Sequence, residues 1–165
     1  TCSDFNVARN CARIGLIAVN CPEMVGYYPD LADPRKEYLR KVRTVLRGIS
    51  AIPRHPWVLN PLRMGMFSFE VWSHKIMRWG VPWFMLLFFI VTLLLQGQGT
   101  LYTLALVAQL VFYAVALLGW KFEALRNFAP VRIVLFFVQS NIAIADATLQ
   151  YLTGKRVVVW TPSER

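Results

Sequence analysis

The chain alternates between two hydrophobic patterns: mixed segments with cations on one face, and long runs with no charge at all. Residues 3 to 14, SDFNVARNCARI, set Phe5, Val7, Ala8, Cys11, Ala12 and Ile14 along an impure apolar face, which predicts a short helix. Ser3 or Asp4 suits its start and Gly15 its left-handed end. LIAVN, residues 16 to 20, then reads as a buried strand stopped by Pro22. Helix, glycine and strand in that order predict the end of an α/β domain.

A second helix is expected from Pro34, since proline fits a first helical turn. Lys36, Arg40, Arg43 and Arg47 recur at i, i+4, i+7 and i+11 and share one face. Leu39, Val42, Leu46 and Ile49 fall on another face, giving a packing side and a displayed cationic stripe. Residues 55 to 79 mix Trp, Arg, Lys and His with Pro56 and Pro61, and 68 to 79 predict a helix lying at a membrane interface. His74 sits there, more as a polar interfacial residue than as a general base.

The apolar runs follow. Residues 81 to 95 approach the length of a membrane span, and 100 to 120 make a second span after the turn Gln96-Gly97-Gln98-Gly99. Arg63, Lys75 and Arg78 precede this hairpin, and Lys121, Arg126 and Arg132 follow it, so both flanks are expected in the cytoplasm. In residues 131 to 152, Gln139, Ala143, Asp146 and Gln150 form a small and polar stripe. A carboxylate such as Asp146 in hydrocarbon costs about 2.5–3.5 kcal/mol, which favours an interfacial or re-entrant helix with a cytoplasmic C-terminus.

Composition agrees with a membrane protein. The 165 residues carry 18 Lys and Arg against nine Asp and Glu, a net charge of +9, yet are 56% hydrophobic. A basic and apolar chain points to lipid, not nucleic acid, because a soluble nucleic-acid module needs no uncharged run from Gly80 to Trp120. Cys2, Cys11 and Cys21 are nine and ten residues apart and far from His55 and His74, so zinc is not expected and reduced thiols are. The chain opens at Thr1 without a visible leader and reads as a fragment whose start lies upstream.

This order of elements resembles the C-terminal half of membrane-embedded family 2 glycosyltransferases, the group that includes cellulose and hyaluronan synthases. Three stretches carry the resemblance. "TCSDF" resembles the family's Thr-Glu-Asp element, with Ser3 in place of Glu, and implies that Asp4 is the general base that takes a proton from the acceptor hydroxyl. "RKVRTVLRG" resembles the family's Gln-x-x-Arg-Trp element in the Arg-x-x-Arg-Thr form of the looser bacterial relatives, with Arg40, Arg43 and Thr44 at the matching positions. It implies that Arg40 and Arg43 bind the diphosphate, whose growing negative charge guanidinium forks stabilise. The loss of the tryptophan at Thr44 removes an aromatic wall for the acceptor. Lys36, Lys41 and Arg47 remain candidates for lipid headgroups. "GKRVVVWTPSER" is similar to the family's Trp-x-Pro-x-x-Arg tail, which implies a gate near the nucleotide carrying Trp160, Pro162 and Arg165.

The expected fold is therefore mainly α and membrane-bound: the remnant of an α/β glycosyltransferase domain, then interface helices and a transmembrane helical hairpin. Residues 1–54 would end the cytoplasmic domain, 55–79 form the interfacial helix, 80–120 the hairpin, and 121–165 a third apolar helix with a cytoplasmic tail. The resemblance implies an inverting transfer from a nucleotide sugar, expected to be a UDP-sugar, to a glycan or lipid-linked acceptor at a bacterial inner membrane. The donor half is not in this sequence, so the chain alone is expected to be inactive, and Mg2+ or Mn2+ would be held by upstream carboxylates of the parent. Two other classes are open: a scaffold that docks on anionic lipid, and a transporter fragment with Asp146 and Gln139 lining a path.

Overall fold

The computed structural model describes residues 3–16, 19, 21–26 and 33–155, with side chains described from residue 7 onward, Pro34 excepted. Its elements are α1 (Ser3–Arg13), α2 (Pro34–Ala51), α3 (Pro61–Met64), α4 (Met66–Val71), α5 (Met77–Leu94), α6 (Thr100–Lys121) and α7 (Ala129–Leu152). A 3-10 turn, Pro56–Leu59, precedes α3, and another, Glu123–Asn127, precedes α7. The protein is mainly helical, and no strand occurs among the described residues. Leu16 and Val19 lie in no regular element, and residues 17, 18 and 20 of the expected strand are outside the described set.

Local chemistry explains the helix ends. The Asp33 side chain accepts from the Arg35 backbone N–H at 2.8 Å, and Pro34 follows it where its missing N–H costs nothing. Gly15, at φ +79°, ends α1 with two reversed bonds: its own N–H reaches the Ala12 carbonyl and the Leu16 N–H reaches the Cys11 carbonyl. Gly154, at φ +87°, closes α7 in the same way, with Lys155 N–H on the Gln150 carbonyl. A left-handed residue without Cβ is what this termination requires.

The chain divides into two compact units, residues 1–79 with 146–165, and residues 80–145. In the first, Ala51, Val58 and Val71 make a buried cluster, packed around by Ile52, Trp57, Leu59 and Phe67. Ser68 is fully buried and donates to the Val58 carbonyl, while Trp72 Nε1 donates to the Leu59 carbonyl at 3.1 Å. The backbone of the 3-10 turn is thus satisfied by α4 and the turn after it. Val42 and Leu46 on α2 are buried as the periodicity predicts, but Leu39 is exposed, so the apolar face is used only over its C-terminal part. Gly48 is buried in the last turn of α2, where glycine is a poorer helix former than alanine. The Trp79 indole explains it: a Cβ at Gly48 would lie 2.6 Å from the ring.

In the second unit, Thr92 is buried on α5 and accepts from Gln109 Nε2 on α6 at 3.0 Å. Phe89 meets Tyr113, and Phe112 meets Phe137, both edge to face. Arg126 folds back on the end of α6, donating to the Gly119 and Trp120 carbonyls at 2.9 and 2.8 Å. Those carbonyls have no intrahelical partner, and a cation there also opposes the helix dipole. A Cβ at Gly119 would meet Val131 Cγ1 at 2.6 Å, so the close approach there needs glycine.

Three helical runs are long and apolar enough to cross a membrane: Met66–Leu94, Thr100–Lys121 and Ala129–Leu152. The expected interfacial helix and first span are one continuous run of 29 residues. A π-helical turn, Trp72–Ile76, joins α4 to α5 without ending the helix, and Pro82 sits inside α5 despite its lost N–H. The third apolar segment is an unbroken helix of 24 residues.

Candidate functional site

The candidate site is built on α2 because its cations are held by an anchored helix. Val42 and Leu46 bury one side, and Glu37 pairs with Lys41 at 3.1 Å in the favourable acid-before-base order. On the stripe, Lys36 and Arg40 are exposed, while Arg43 and Arg47 are half-buried. Arg40 and Arg43, three residues apart, are neighbours on one helical face. Thr44 donates its hydroxyl to the Arg40 carbonyl at 2.8 Å, so this side chain is turned to its own helix. Arg40, exposed on this face, can thus offer its guanidinium to an anion without unfolding α2.

Of the other expected site residues, Asp4 lies in the first turn of α1, and its side chain is outside the described residues. Trp160, Pro162 and Arg165 of the tail also lie outside them. The sites brought into one described segment are therefore Arg40 and Arg43 alone. Among the described residues no group of three or more His, Cys, Asp and Glu side chains gathers to hold a metal ion. Cys11 is a half-buried and Cys21 an exposed free thiol.

Two features escaped the sequence reading. The Tyr38 hydroxyl on α2 donates to Asp146 Oδ2 at 3.1 Å, and Gln150 donates to Asp146 Oδ1 at 2.9 Å. Both carboxylate oxygens of the one acid in α7 thus have donors, which offsets the penalty expected for Asp146. Burial first, then the hydrogen bond to Asp146 and its charge, push the Tyr38 phenol above its ordinary range. The signal available beforehand was a lone acid on a polar stripe, with no means of naming a partner 108 residues away.

The second is Arg9, which is buried on α1 with its guanidinium 5.9 Å from the centre of the Trp57 ring. His55 meets the same indole edge to face at 6.0 Å. Partial burial, followed by the positive charges of Arg9, Arg54 and Arg13, holds His55 below the usual histidine range. No signal in the hydrophobic pattern set Arg9 apart from the other arginines. No family model, curated protein or solved structure matches the chain.

Proposed function

We propose that this chain is the acceptor-side and membrane portion of an inverting glycosyltransferase similar to the membrane-embedded family 2 enzymes. The intact parent would transfer a sugar from a nucleotide donor, a UDP-sugar by preference, to a glycan or lipid-linked acceptor. The observation that carries the reading is α2: a helix fixed by buried Val42 and Leu46 that keeps Arg40 exposed beside a half-buried Arg43. The three apolar helical runs add a membrane anchor, which would hold the site where a lipidic acceptor is found.

In this proposal Asp4 accepts the proton of the attacking hydroxyl. Arg40 and Arg43 bind the diphosphate or the rim of the acceptor site, and favour the leaving group as its charge grows. Trp160 and Arg165 border the nucleotide. The catalytic side faces the cytoplasm at a bacterial inner membrane, with the basic flanks of the two-span hairpin on that side and the third run interfacial or re-entrant, so that Trp160 and Arg165 return to it. An α/β domain upstream supplies the donor site and the carboxylates for Mg2+ or Mn2+. The described residues gather no metal-binding set, and no step in this chain runs through the ion.

The test is sugar transfer by the full-length membrane protein. Asp4→Asn is expected to lower kcat by about 10²–10⁴-fold, the usual contribution of a general base. Arg43→Ala is expected to lower it by about 10²-fold or more, as for other groups that stabilise developing charge. Normal turnover in both variants would remove these roles. Vesicle binding that rises with anionic lipid and ignores UDP, without any transfer, would replace the enzyme by a lipid-docking scaffold.

A further inference from the structure

The least satisfied charge in the described structure is not on α2. Arg9 is only 8% exposed, and a guanidinium stays protonated at any working pH. Its Nη2 donates to Asn10 Oδ1 at 3.2 Å, but Nε and Nη1 are shielded and reach no acceptor. Trp57 offers its ring face at 5.9 Å, which attracts the charge but accepts no in-plane N–H. A buried cation with unanswered donors is costly, commonly by more than a neutral group.

More positive charge lies on the segments that carry Arg9 and the indole. Arg13 follows Arg9 by four residues, so both project from one side of α1. Arg54 directly precedes His55, which lies against Trp57 at 6.0 Å. Burial first, then the positive charges of Arg9, Arg54 and Arg13, lower the basicity of His55. The ion pairs described elsewhere, Lys41 with Glu37 and Arg126 with Glu123, use none of these groups.

We propose that Arg9, Arg13, Arg54 and His55 form an oxyanion site around Trp57 that takes a multiply charged phosphate group. A carboxylate would answer one of three guanidinium charges. A phosphate monoester or diphosphate brings two or more charges and several acceptor oxygens, and arginine geometry suits it. Arg9 supplies the shielded donors, and the exposed Arg13 and Arg54 close over the anion. The proposed site uses neither Arg40 nor Arg43 and does not depend on sugar transfer.

The experiment is calorimetric titration of the full chain, in neutral detergent, with inorganic pyrophosphate. Saturable binding is expected, weakened about ten-fold or more by Arg9→Gln, the size of a lost charge-assisted hydrogen bond. Arg13→Gln and Arg54→Gln, both at exposed positions, should weaken it by smaller factors with unchanged far-UV circular dichroism. If Arg9→Gln fails to fold, those two variants decide. A second arm uses vesicles of phosphatidylcholine with and without phosphatidic acid. Arginine-dependent binding to phosphatidic acid without binding to free pyrophosphate would make the source a lipid headgroup and keep the site. No binding in either arm, affinities unmoved by the arginine variants, or succinate binding as tightly as pyrophosphate would overturn the proposal.

Discussion

Leu46 in the first unit is 2% exposed, and Leu104 in the second is 61% exposed. The first unit hides part of its apolar set behind protein, with Val58 and Val71 at 1% and 2% exposed, while Leu39, Leu62 and Phe69 stay at its surface. The second turns Leu94, Leu101, Leu104, Val111 and Leu117 outward from α5 and α6. The same residue type thus solves two solvent problems. Water drives the first set inward. Hydrocarbon is as apolar as leucine, so it gives the second set no reason to hide, and helices there associate through close packing and a few polar bonds.

Polar groups serve both units, as Arg126 does for the Gly119 and Trp120 carbonyls of the second. In the first unit they satisfy particular needs of backbone and charge, as Ser68 does for Val58 and Tyr38 for Asp146. In the second, the Gln109–Thr92 bond joins α5 to α6 without any charged partner. Gln109 Oε1 is left buried without a donor, a cost smaller than that of a buried unpaired charge.

The comparison can be broken most directly at the two leucines. Leu46→Ala is expected to destabilise the folded chain by about 2–5 kcal/mol, the usual range for emptying a core site. Leu104→Ala should change it by less than about 0.5 kcal/mol, as expected for an outward-facing position. Unfolding in mixed micelles reads both, and equal losses would erase the distinction between the units.

A smaller effect sharpens it. Tyr38→Phe removes a donor from a charged acceptor and is expected to cost about 1–2 kcal/mol. Gln109→Leu breaks the neutral bond between membrane helices, where such bonds average about 0.6 kcal/mol. A larger loss for Gln109→Leu in the same unfolding assay would reverse this ranking of the two polar contacts.

The smallest effect is at His55. Its folded pKa lies below the unfolded value of about 6.5. The unfolded state therefore binds more protons as pH falls through about 6.5, and His55 lowers stability from there down to its folded pKa. Nuclear magnetic resonance titration, assigned with His55→Gln, should give a midpoint below the ordinary histidine value. A midpoint at or above it would separate His55 from the charges of Arg9, Arg54 and Arg13.

Much of the helical order was legible beforehand because its causes are local. Pro34 in a first helical turn and the left-handed Gly15 act within one turn of chain, and residues 80–120 lack charges for any reader to see. The join between α4 and α5 was not legible. Gly80 and Pro82 suggest a break, yet the helix accommodates them after a π-helical turn. Leu39 also misled, since periodicity gives the face of a helix but not how far along it a neighbour extends.

For the candidate site, spacing alone aligned Arg40 with Arg43, since a helix fixes which residues share a face. Sequence likewise determined the three apolar runs and the net charge, because both are properties of composition along a line. Only the tertiary structure decided that Arg9 is buried against Trp57, that Trp79 lies over Gly48, and that Tyr38 answers Asp146. Those outcomes depend on which distant segments share space, and burial and partner choice are set by that proximity rather than by any residue's own preference.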